Sequence, residues 1–307
     1  MHGLKVCLHS MRLAVYSDMR PAAPFAMRIK IPEGESRSAE RLYYHYQIER
    51  ELGDRLRNAA KPERARLYRI VYDELFRRVP DHPQVTAPDR AAHQGKVRSQ
   101  LQLIEPFLNP STVFLEIGGG DCALSFLVAP RVKQAYGLEI TDHLVPHPVP
   151  QNFQFALSDG SSIGIPANTV DLAFSFSVVE HIHPEDIVQQ LREVHRVLKP
   201  GGTYYCVTPN RLLGPHDVSG YFDREATGLH LKEYTVGDLS KLFRGAGFGE
   251  LWVEKSWRSH RIRVPALAMQ AVEGILGALP WAARYRLRSS RGVYWAMEVG
   301  LAGRKRR

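Results

Sequence analysis

An apolar segment that runs directly into three glycines constrains the fold of this chain more than any other feature. Residues 113–117 read VFLEI, and residues 118–120 are all glycine. A buried strand followed by a glycine turn is typical of α/β folds in which the backbone closely approaches a nucleotide-like ligand. From residue 113 onward, short apolar runs alternate with helical patterns, which predicts a parallel sheet with helices on both faces.

This pattern predicts an α/β fold with a Rossmann-like, seven-stranded mixed sheet. A helix is expected at 184–198, since Pro184 suits its first turn and the segment KPGG ends it. Thr235 is expected to cap a further helix, with Asp238 in place of the usual Glu or Gln of a capping box. The predicted strands are 113–117, 134–139, 152–156, 170–176, 203–208, 250–257 and 292–303.

Three regions are predicted along the chain. Residues 1–35 mix Met, Arg and Pro without periodicity, which predicts a loose N-terminal arm. Residues 36–105 repeat apolar residues at helical spacing and predict a helical layer whose many Tyr side chains mainly pack. Residues 106–307 form the main domain, in which about 258–291 is a basic amphipathic insertion.

The positive charge is concentrated at the end of the sequence. The formal net charge is +9, and residues 258–307 contain eleven Arg and Lys but only two acids, Glu273 and Glu298. Since the whole chain has 41 Lys and Arg and 32 Asp and Glu, the preceding residues hold thirty of each sign. A basic segment on a neutral body predicts contact with an anionic surface or partner rather than with nucleic acid.

Cysteine usage and the N-terminal segment bear on location. The three cysteines have no CxxC spacing, so neither a disulfide framework nor a zinc knuckle is expected. Lys5, His9 and Arg12 interrupt the apolar residues near the N-terminus, so we expect neither a signal peptide nor a transmembrane helix. The expected location is the cytoplasm, with peripheral membrane contact through residues 258–307.

The glycine turn alone leaves the ligand open. Gly118, Gly120 and Ala123 satisfy G-x-G-x-x-[GA], and Glu139 ends the next strand, as in dinucleotide-binding folds. A Glu139 carboxylate accepts hydrogen bonds from two ribose hydroxyls in any nucleoside. Glu116, however, would repel the diphosphate of a dinucleotide. A nucleoside with ammonium and sulfonium groups, such as S-adenosylmethionine, is compatible with this carboxylate.

Four segments in order carry a family resemblance: VFLEIGGGDC, YGLEIT, ALSDGSSIGIP and the block from VDLAFSFSVVEH to VTPN. With them, residues 113 to about 256 resemble the class I S-adenosylmethionine-dependent methyltransferases, in particular the small-molecule enzymes related to those of ubiquinone synthesis. One departure is Cys122, where the family usually has Gly. The resemblance implies that the cofactor-binding residues are Glu116, Gly118 and Gly120 at the methionine part, Glu139 at the ribose, Ile140 on the adenine, Asp159 and Gly160 at the adenine edge, and Ser177 near the methionine end.

Several of these residues have an equally simple structural interpretation. Gly119 is either a ligand contact or only a turn residue. Asp159 and Gly160 form a common turn pair, and only their position after the third strand favours an adenine contact. The long segment 209–234 lies where an acceptor would bind, and loops of this length in a compact domain are usually functional.

Methyl transfer to a hydroxyl needs a base, for which His is the usual candidate. The candidates are His230, His181 and His216, in that order, and the expected reaction is O-methylation of a small-molecule, sugar-linked or lipid-linked acceptor. The segments HIH at 181–183 and HLVPH at 143–147 suggest a metal, but neither has a complete donor set, so no metal is expected.

Two other classes of function stay open. The chain could be a catalytically silent nucleoside-binding module, which Cys122 keeps in consideration. An NAD-dependent oxidoreductase is disfavoured by Glu116. The apolar helix within 258–291 is interpreted equally well as an interfacial membrane element or as a lid on the substrate site.

Overall fold

A computed structural model of the protein describes residues 31–32, 34–86, 90–141, 145–257 and 260–307. The predicted N-terminal arm, residues 1–35, therefore lies almost entirely outside the described residues. The strands run as β1 Val113–Ile117, β2 Gln134–Glu139, β3 Phe153–Leu157, β4 Val170–Phe176, β5 Leu198–Thr208, β6 Phe248–Trp257, β7 His260–Pro265 and β8 Val299–Lys305.

The strands form one mixed sheet in the order β3-β2-β1-β4-β5-β8-β6-β7. The first five strands are parallel to one another, whereas β8 lies antiparallel between β5 and β6. From β1 the chain adds β2 and β3 on one side, and after β3 it crosses back to place β4 on the other side of β1. The carboxyl ends of β1 and β4 therefore flank a crevice. In open α/β sheets this crevice is where ligands bind.

The predicted fold class is confirmed, with two corrections at the C-terminal end. The sheet has eight strands and not seven, because β7 forms an antiparallel hairpin with β6 inside the predicted insertion. The single strand predicted at 292–303 is wrong in its first half, where residues 291–297 are helical. The Ser290 side chain accepts a hydrogen bond from Val293 N and so caps this helix, and the strand begins only at Val299.

Helices cover both faces of the sheet. On one face, α5 and α6 bury Leu191 and Phe243 in a cluster that includes Leu115 of β1. On the other face, α3 and α4 bury Leu101 and Leu124. The helices are α1 Ala39–Asn58, α2 Lys61–Arg78, α3 Arg90–Ile104, α4 Ala123–Val128, α5 Asp186–Val197, α6 Val236–Gly245, α7 Ala266–Gly277, α8 Trp281–Arg288 and α9 Arg291–Met297.

The helices α1 and α2 form a separate layer over the carboxyl ends of the strands. Their apolar residues make a cluster of their own that also contains Leu229 and Leu231, and Ile140 packs against it. A buried ion pair attaches this layer to the sheet domain, because Arg64 of α2 donates two hydrogen bonds to Asp186 of α5, at 2.7 and 2.9 Å. The helix α3 falls within the predicted layer region but packs on the sheet instead.

The insertion contains α7 and α8. Among the residues that the structure describes, no single helix is long and apolar enough to cross a membrane. Taken together, α7 and α8 are long and apolar enough for a membrane span, but they are bent by 120° at their junction. The acid within the apolar α7, Glu273, is buried, and it accepts hydrogen bonds from Val236 N and Gly237 N at the start of α6.

Candidate functional site

The glycine turn begins where β1 ends. Gly118 has a φ of +71°, and a Cβ at this position would lie 2.4 Å from the Val178 side chain. Both the left-handed backbone and the close approach therefore require glycine here. Val178 follows the end of β4, so the turn after β1 packs against the segment after β4 at the crevice between the two strands.

Glu139, at the end of β2, contacts the same turn. Its Oε2 accepts a hydrogen bond from Gly120 N at 3.0 Å, and its Oε1 accepts one from Ile140 N at 2.6 Å. Burial raises the pKa of this carboxyl above its usual value, against the effect of the two backbone donors. The structure therefore joins three residues that were expected at the methionine, ribose and adenine parts of a nucleoside site.

Glu116 lies beneath the turn. Its Oε2 accepts hydrogen bonds from Ser125 N at 3.0 Å and Ser125 Oγ at 2.6 Å, in the first turn of α4. A Cβ on Gly119 would lie 3.0 Å from this carboxylate. Because the side chain is almost completely buried, the pKa of Glu116 is raised to about 7. A cationic ligand above the turn would favour its charged form.

The remaining cofactor candidates lie after β3 and β4. Asp159 Oδ1 accepts hydrogen bonds from Ser161 N and Ser162 N, so it stabilises the turn itself. Gly160 has a φ of +88°, and the Tyr68 ring would lie 2.9 Å from a Cβ at this position. The α2 helix thus covers the predicted adenine edge. Ser177 is exposed and has a φ of +55°.

Cys122 occupies the position where related enzymes usually have glycine. Its φ is +58°, in the left-handed region that favours glycine, and its side chain is completely buried. A Cβ on Gly137 would lie 2.8 Å from Cys122 Sγ, so the thiol fills the space beside β2. The cysteine is therefore accommodated in a left-handed backbone conformation, with its side chain packed away from solvent.

Two of the three candidate catalytic histidines meet at the carboxyl edge of the sheet. The rings of His181 and His230 lie edge to face with centroids 4.7 Å apart. His181 Nδ1 donates to the carbonyl oxygen of Leu229 at 3.1 Å, and His230 Nδ1 lies 2.8 Å from Glu233 Oε1. His216 is close by along the same loop, where its backbone N–H donates to Glu233 Oε1 at 2.7 Å.

The charges around these rings differ. Burial lowers the pKa of His181 to about 3, which leaves its imidazole neutral. Burial also disfavours the charged form of His230, but its hydrogen bond to Glu233 and the negative charges of Glu180 and Asp217 outweigh burial and raise its pKa to about 9. Burial lowers the pKa of His216. A neutral imidazole therefore lies next to a positively charged one at this edge of the sheet.

A cavity of about 520 Å³ opens between the helical layer and the long loop. Its wall combines groups from α1, from the 209–234 segment and from α8, which contributes Tyr285 and Arg288. Tyr72 of α2 also lines it and lies edge to face with His181, with ring centroids 6.1 Å apart. The cavity therefore meets the histidine pair on the same sheet edge as the glycine turn.

Sequence reasoning missed two residues of α1 that line this cavity. His45 and Glu49 are one turn apart, and His45 Nε2 lies 2.8 Å from Glu49 Oε1. Glu49 Oε2 accepts a hydrogen bond from Leu229 N, next to His230. The spacing of four in the sequence places both on one face of a helix, but only the fold shows that this face meets the loop.

Within the described part of the chain, donor atoms for a metal ion come together in two places, although the sequence predicted no metal. One group is His45, Glu49 and His82, and the other is Glu180, His181 and His230. Within each group the candidate ligand atoms lie within 4.8 Å of one another. The second group combines Glu180 and His181, which follow β4, with His230, about fifty positions later in the sequence. The spacing of the HIH motif therefore could not reveal it.

The comparisons with known proteins agree with this geometry. Residues 115–206 match the family model of a methyltransferase domain. A Mycolicibacterium smegmatis protein named "probable S-adenosylmethionine-dependent methyltransferase" is 29% identical over 136 residues, which cover 44% of this chain and 51% of the relative. A Mycobacterium tuberculosis protein with the same description is 26% identical over 182 residues, covering 54% of this chain and 62% of the relative.

The aligned part of this chain thus spans only about half to three-fifths of the length of these curated relatives. Among solved structures, phosphoethanolamine N-methyltransferase 2 of Haemonchus contortus, in complex with S-adenosyl-L-methionine, is 17% identical with a TM-score of 0.48. That alignment covers 68% of this chain and 53% of the other.

The family match begins in β1 and ends in β5, so it includes the glycine turn, Glu139, the Asp159–Gly160 turn and the segment after β4. These are the elements that the structure brings together around the crevice. The chain carries a class I S-adenosylmethionine-dependent methyltransferase domain, and S-adenosylmethionine is the cofactor of this family.

Proposed function

We propose that this protein transfers the methyl group of S-adenosylmethionine to a hydroxyl of a small-molecule, sugar-linked or lipid-linked acceptor. The observation that carries the proposal is the meeting of two sites at one sheet edge. The glycine turn and Glu139 lie where β1 and β2 end, and His181 of the cavity wall follows β4, so all of them lie at the carboxyl edge of the sheet. Methyl transfer requires this arrangement, because donor carbon and acceptor oxygen must be held in line.

On the donor side, Glu139 is positioned to accept hydrogen bonds from the ribose, and Ile140 to pack on the adenine. The carboxylate of Glu116, beneath the turn, favours the positively charged methionine end of the donor. Tyr68 and Ile140 lie where α2 meets the crevice, so the helical layer shields the nucleoside from water. These assignments agree with the family resemblance of the motifs.

On the acceptor side, the reaction itself limits what the protein must supply. The acceptor oxygen forms a bond to the methyl carbon, the carbon–sulfur bond breaks, and its electron pair remains on sulfur. The hydroxyl proton must also leave. His230, His181 and His216 are our candidates for assisting this step, in that order, and all three line the cavity together with Tyr72.

A lipid-linked acceptor is supported by the surface next to the cavity. Leu267 and Ile275 of α7 are each 74% exposed, and Val272 is 46% exposed. The adjoining α8 supplies Arg286 to the surface and Arg288 to the cavity wall. We therefore also propose that α7 rests on an anionic membrane, with the cavity mouth beside it. In this arrangement α7 contacts the membrane, and α8 lines the acceptor site.

Binding and turnover measurements test the proposal. Calorimetry is expected to show binding of S-adenosylmethionine and of its demethylated product, and no comparable binding of NAD. Incubation with methyl-labelled donor and a cell extract is then expected to yield a labelled product whose analysis identifies the acceptor. Tight NAD binding without any response to the sulfonium donor would overturn the proposal, and donor binding without transfer to any acceptor would favour a silent binding module.

A further inference from the structure

The Glu180 carboxylate is buried, and one of its two oxygens has no hydrogen-bond partner among the described residues. The residue is completely buried, and Thr208 Oγ1 donates a hydrogen bond to its Oε2 at 2.9 Å. Its Oε1 is buried as well and has no hydrogen-bond partner among the residues that the structure describes. An unpaired buried carboxylate oxygen is costly, so such a group calls for a ligand that the protein chain itself does not provide.

The imidazoles of His181 and His230 both lie near the Glu180 carboxylate. The Nδ1 atoms of His181 and His230 are already engaged by the Leu229 carbonyl oxygen and the Glu233 carboxylate. Nε2 is thus the remaining nitrogen of each ring, and a metal ion at His230 would replace the proton that the raised pKa of this residue retains there. In protein metal sites, a ligating imidazole usually has its other nitrogen held by a carbonyl or carboxylate oxygen in this way, which fixes its tautomer and orientation.

From this geometry we infer that Glu180, His181 and His230 bind one divalent transition-metal ion at the wall of the acceptor cavity. The three donor atoms lie within 4.8 Å of one another. Two metal–ligand bonds of about 2.1 Å span up to about 4.2 Å, so only small side-chain movements are needed to close the site. Two imidazoles and one carboxylate suit Zn²⁺, Fe²⁺, Co²⁺ or Mn²⁺ rather than Ca²⁺.

The cavity gives the ion open coordination positions. His181 and His230 both line it, so a small acceptor could reach an ion held between them. Given the proposed methyl transfer, on which this role rests, the ion would orient the acceptor hydroxyl and make it more acidic. In that case the two histidines act as ligands and not as proton acceptors.

The neighbouring group of His45, Glu49 and His82 is less suited to a cation. Arg37 Nη1 lies 2.9 Å from His45 Nδ1, and His45 Nε2 lies 2.8 Å from Glu49 Oε1. Both nitrogens of His45 are therefore used by the protein, and a guanidinium stands beside the ring. This group serves as a matched internal control, because it has the same kinds of side chain on the same cavity.

Direct metal binding by the full chain tests the inference. After treatment with a chelator, the protein is titrated with Co²⁺, followed by visible absorption, and with Zn²⁺, followed by calorimetry. One equivalent is expected to bind. Glu180→Gln and His230→Gln are each expected to weaken binding by more than about 100-fold, and Glu233→Gln by about 10- to 100-fold. His82→Gln, in the control group, is expected to leave the affinity unchanged.

Two outcomes would overturn the inference: no stoichiometric binding by the wild-type protein, or binding that depends on His82 and survives the loss of both Glu180 and His230. Circular dichroism checks that each variant is folded, and the two independent ligand variants protect against the failure of one of them. Calorimetry with S-adenosylmethionine is run in parallel. Donor binding without metal binding would overturn this inference alone, whereas metal binding without donor binding would overturn the proposed function alone.

Discussion

Glu139 shows how a single carboxylate connects the fold with cofactor binding. It is held by Gly120 N and Ile140 N, and both of its neighbours belong to predicted cofactor-binding segments. We expect Glu139→Ala to weaken S-adenosylmethionine binding by about 30-fold or more, about 2 kcal/mol, because two ribose hydroxyls lose a charged acceptor. Calorimetry on the folded variant checks this prediction, with the exposed Glu250→Ala as control. An unchanged dissociation constant would remove Glu139 from the site.

Glu116 is expected to make stability depend on pH. Its pKa is about 7 in the folded protein against about 4.5 in an exposed chain, because of burial. The folded state therefore retains a proton that the unfolded state releases between these values. The stability contributed by the protonated form is fully present below about pH 4.5 and is lost as pH rises through about 7. The Glu116→Gln variant is expected not to lose this stability as pH rises, because the glutamine side chain does not titrate.

Denaturant unfolding of wild type and Glu116→Gln at pH 5 and pH 8 measures the effect. The variant is expected to gain on the order of 3 kcal/mol relative to wild type between the two pH values. Any constant cost of replacing the hydrogen bonds to Ser125 cancels in this comparison. The same difference in unfolding free energy at both pH values would show that Glu116 does not carry a raised pKa.

Local sequence patterns anticipated the contacts around the glycine turn better than those around the cavity. The turn after β1 and the acid at the end of β2 lie in short contiguous motifs, and adjacent strands bring them together. Glu49 instead contacts Leu229, 180 positions later in the sequence. No periodicity relates such distant positions, so this contact, and the donor group that includes Glu180 and His230, could be seen only in the fold.

The buried ion pair between α2 and α5 is expected to contribute strongly to the stability of the protein. Arg64 and Asp186 are both almost completely buried, and Tyr68 also donates a hydrogen bond to Asp186. Arg64→Ala leaves this carboxylate without its cation and is expected to destabilise the protein by about 3–5 kcal/mol. Denaturant unfolding measures this cost. Arg69→Ala, on the exposed side of the same helix, should change stability by less than about 0.5 kcal/mol.

A cost below about 1 kcal/mol for Arg64→Ala would contradict this account of the helical layer. The double variant Arg64→Met with Asp186→Leu provides a further check, because it removes both charges and leaves neither unpaired. It is expected to be more stable than Arg64→Ala. This ion pair could not be predicted from the sequence, since its partners are 122 positions apart.

Most helices and strands could be predicted because their sequence patterns are local. The error in the C-terminal segment also has a local cause. The strands around the cofactor crevice agree with the predicted ones within one or two residues at most ends. At the C-terminal end, residues 292–303 are uncharged except for Glu298, so alternation cannot separate a helix from a buried strand. The Ser290 cap is the local signal that marks the start of α9.

For the molecule as a whole, the insertion combines the two interpretations that its sequence left open. Its inner side is part of the protein core, since Met269 and Leu276 of α7 are buried, and α8 lines the acceptor cavity. Its outer side exposes Leu267 and Ile275 of α7 and Arg286 of α8. A membrane contact through α7 is therefore geometrically compatible with a lid role for α8, and the two can be separated by mutation.

Vesicle co-sedimentation tests the membrane contact. The wild-type protein is expected to sediment with anionic vesicles at low salt and less strongly as salt rises, because each cation near the surface contributes about 1 kcal/mol at most before screening. Leu267→Glu with Ile275→Glu places two charges on the apolar face and should abolish the salt-resistant part of binding. Both positions are 74% exposed, so the fold should tolerate these changes.

The matched control is Leu157→Glu, an exposed apolar residue on the edge strand β3, far from the insertion in strand order. It should sediment like wild type if α7 makes the contact, because a general loss of apolar surface would affect both variants. Absence of sedimentation at low salt, even on strongly anionic vesicles, would leave only the lid role. In that case changes in α8 such as Arg288→Ala, and not changes in α7, should alter acceptor affinity in free solution, since only α8 reaches the cavity wall.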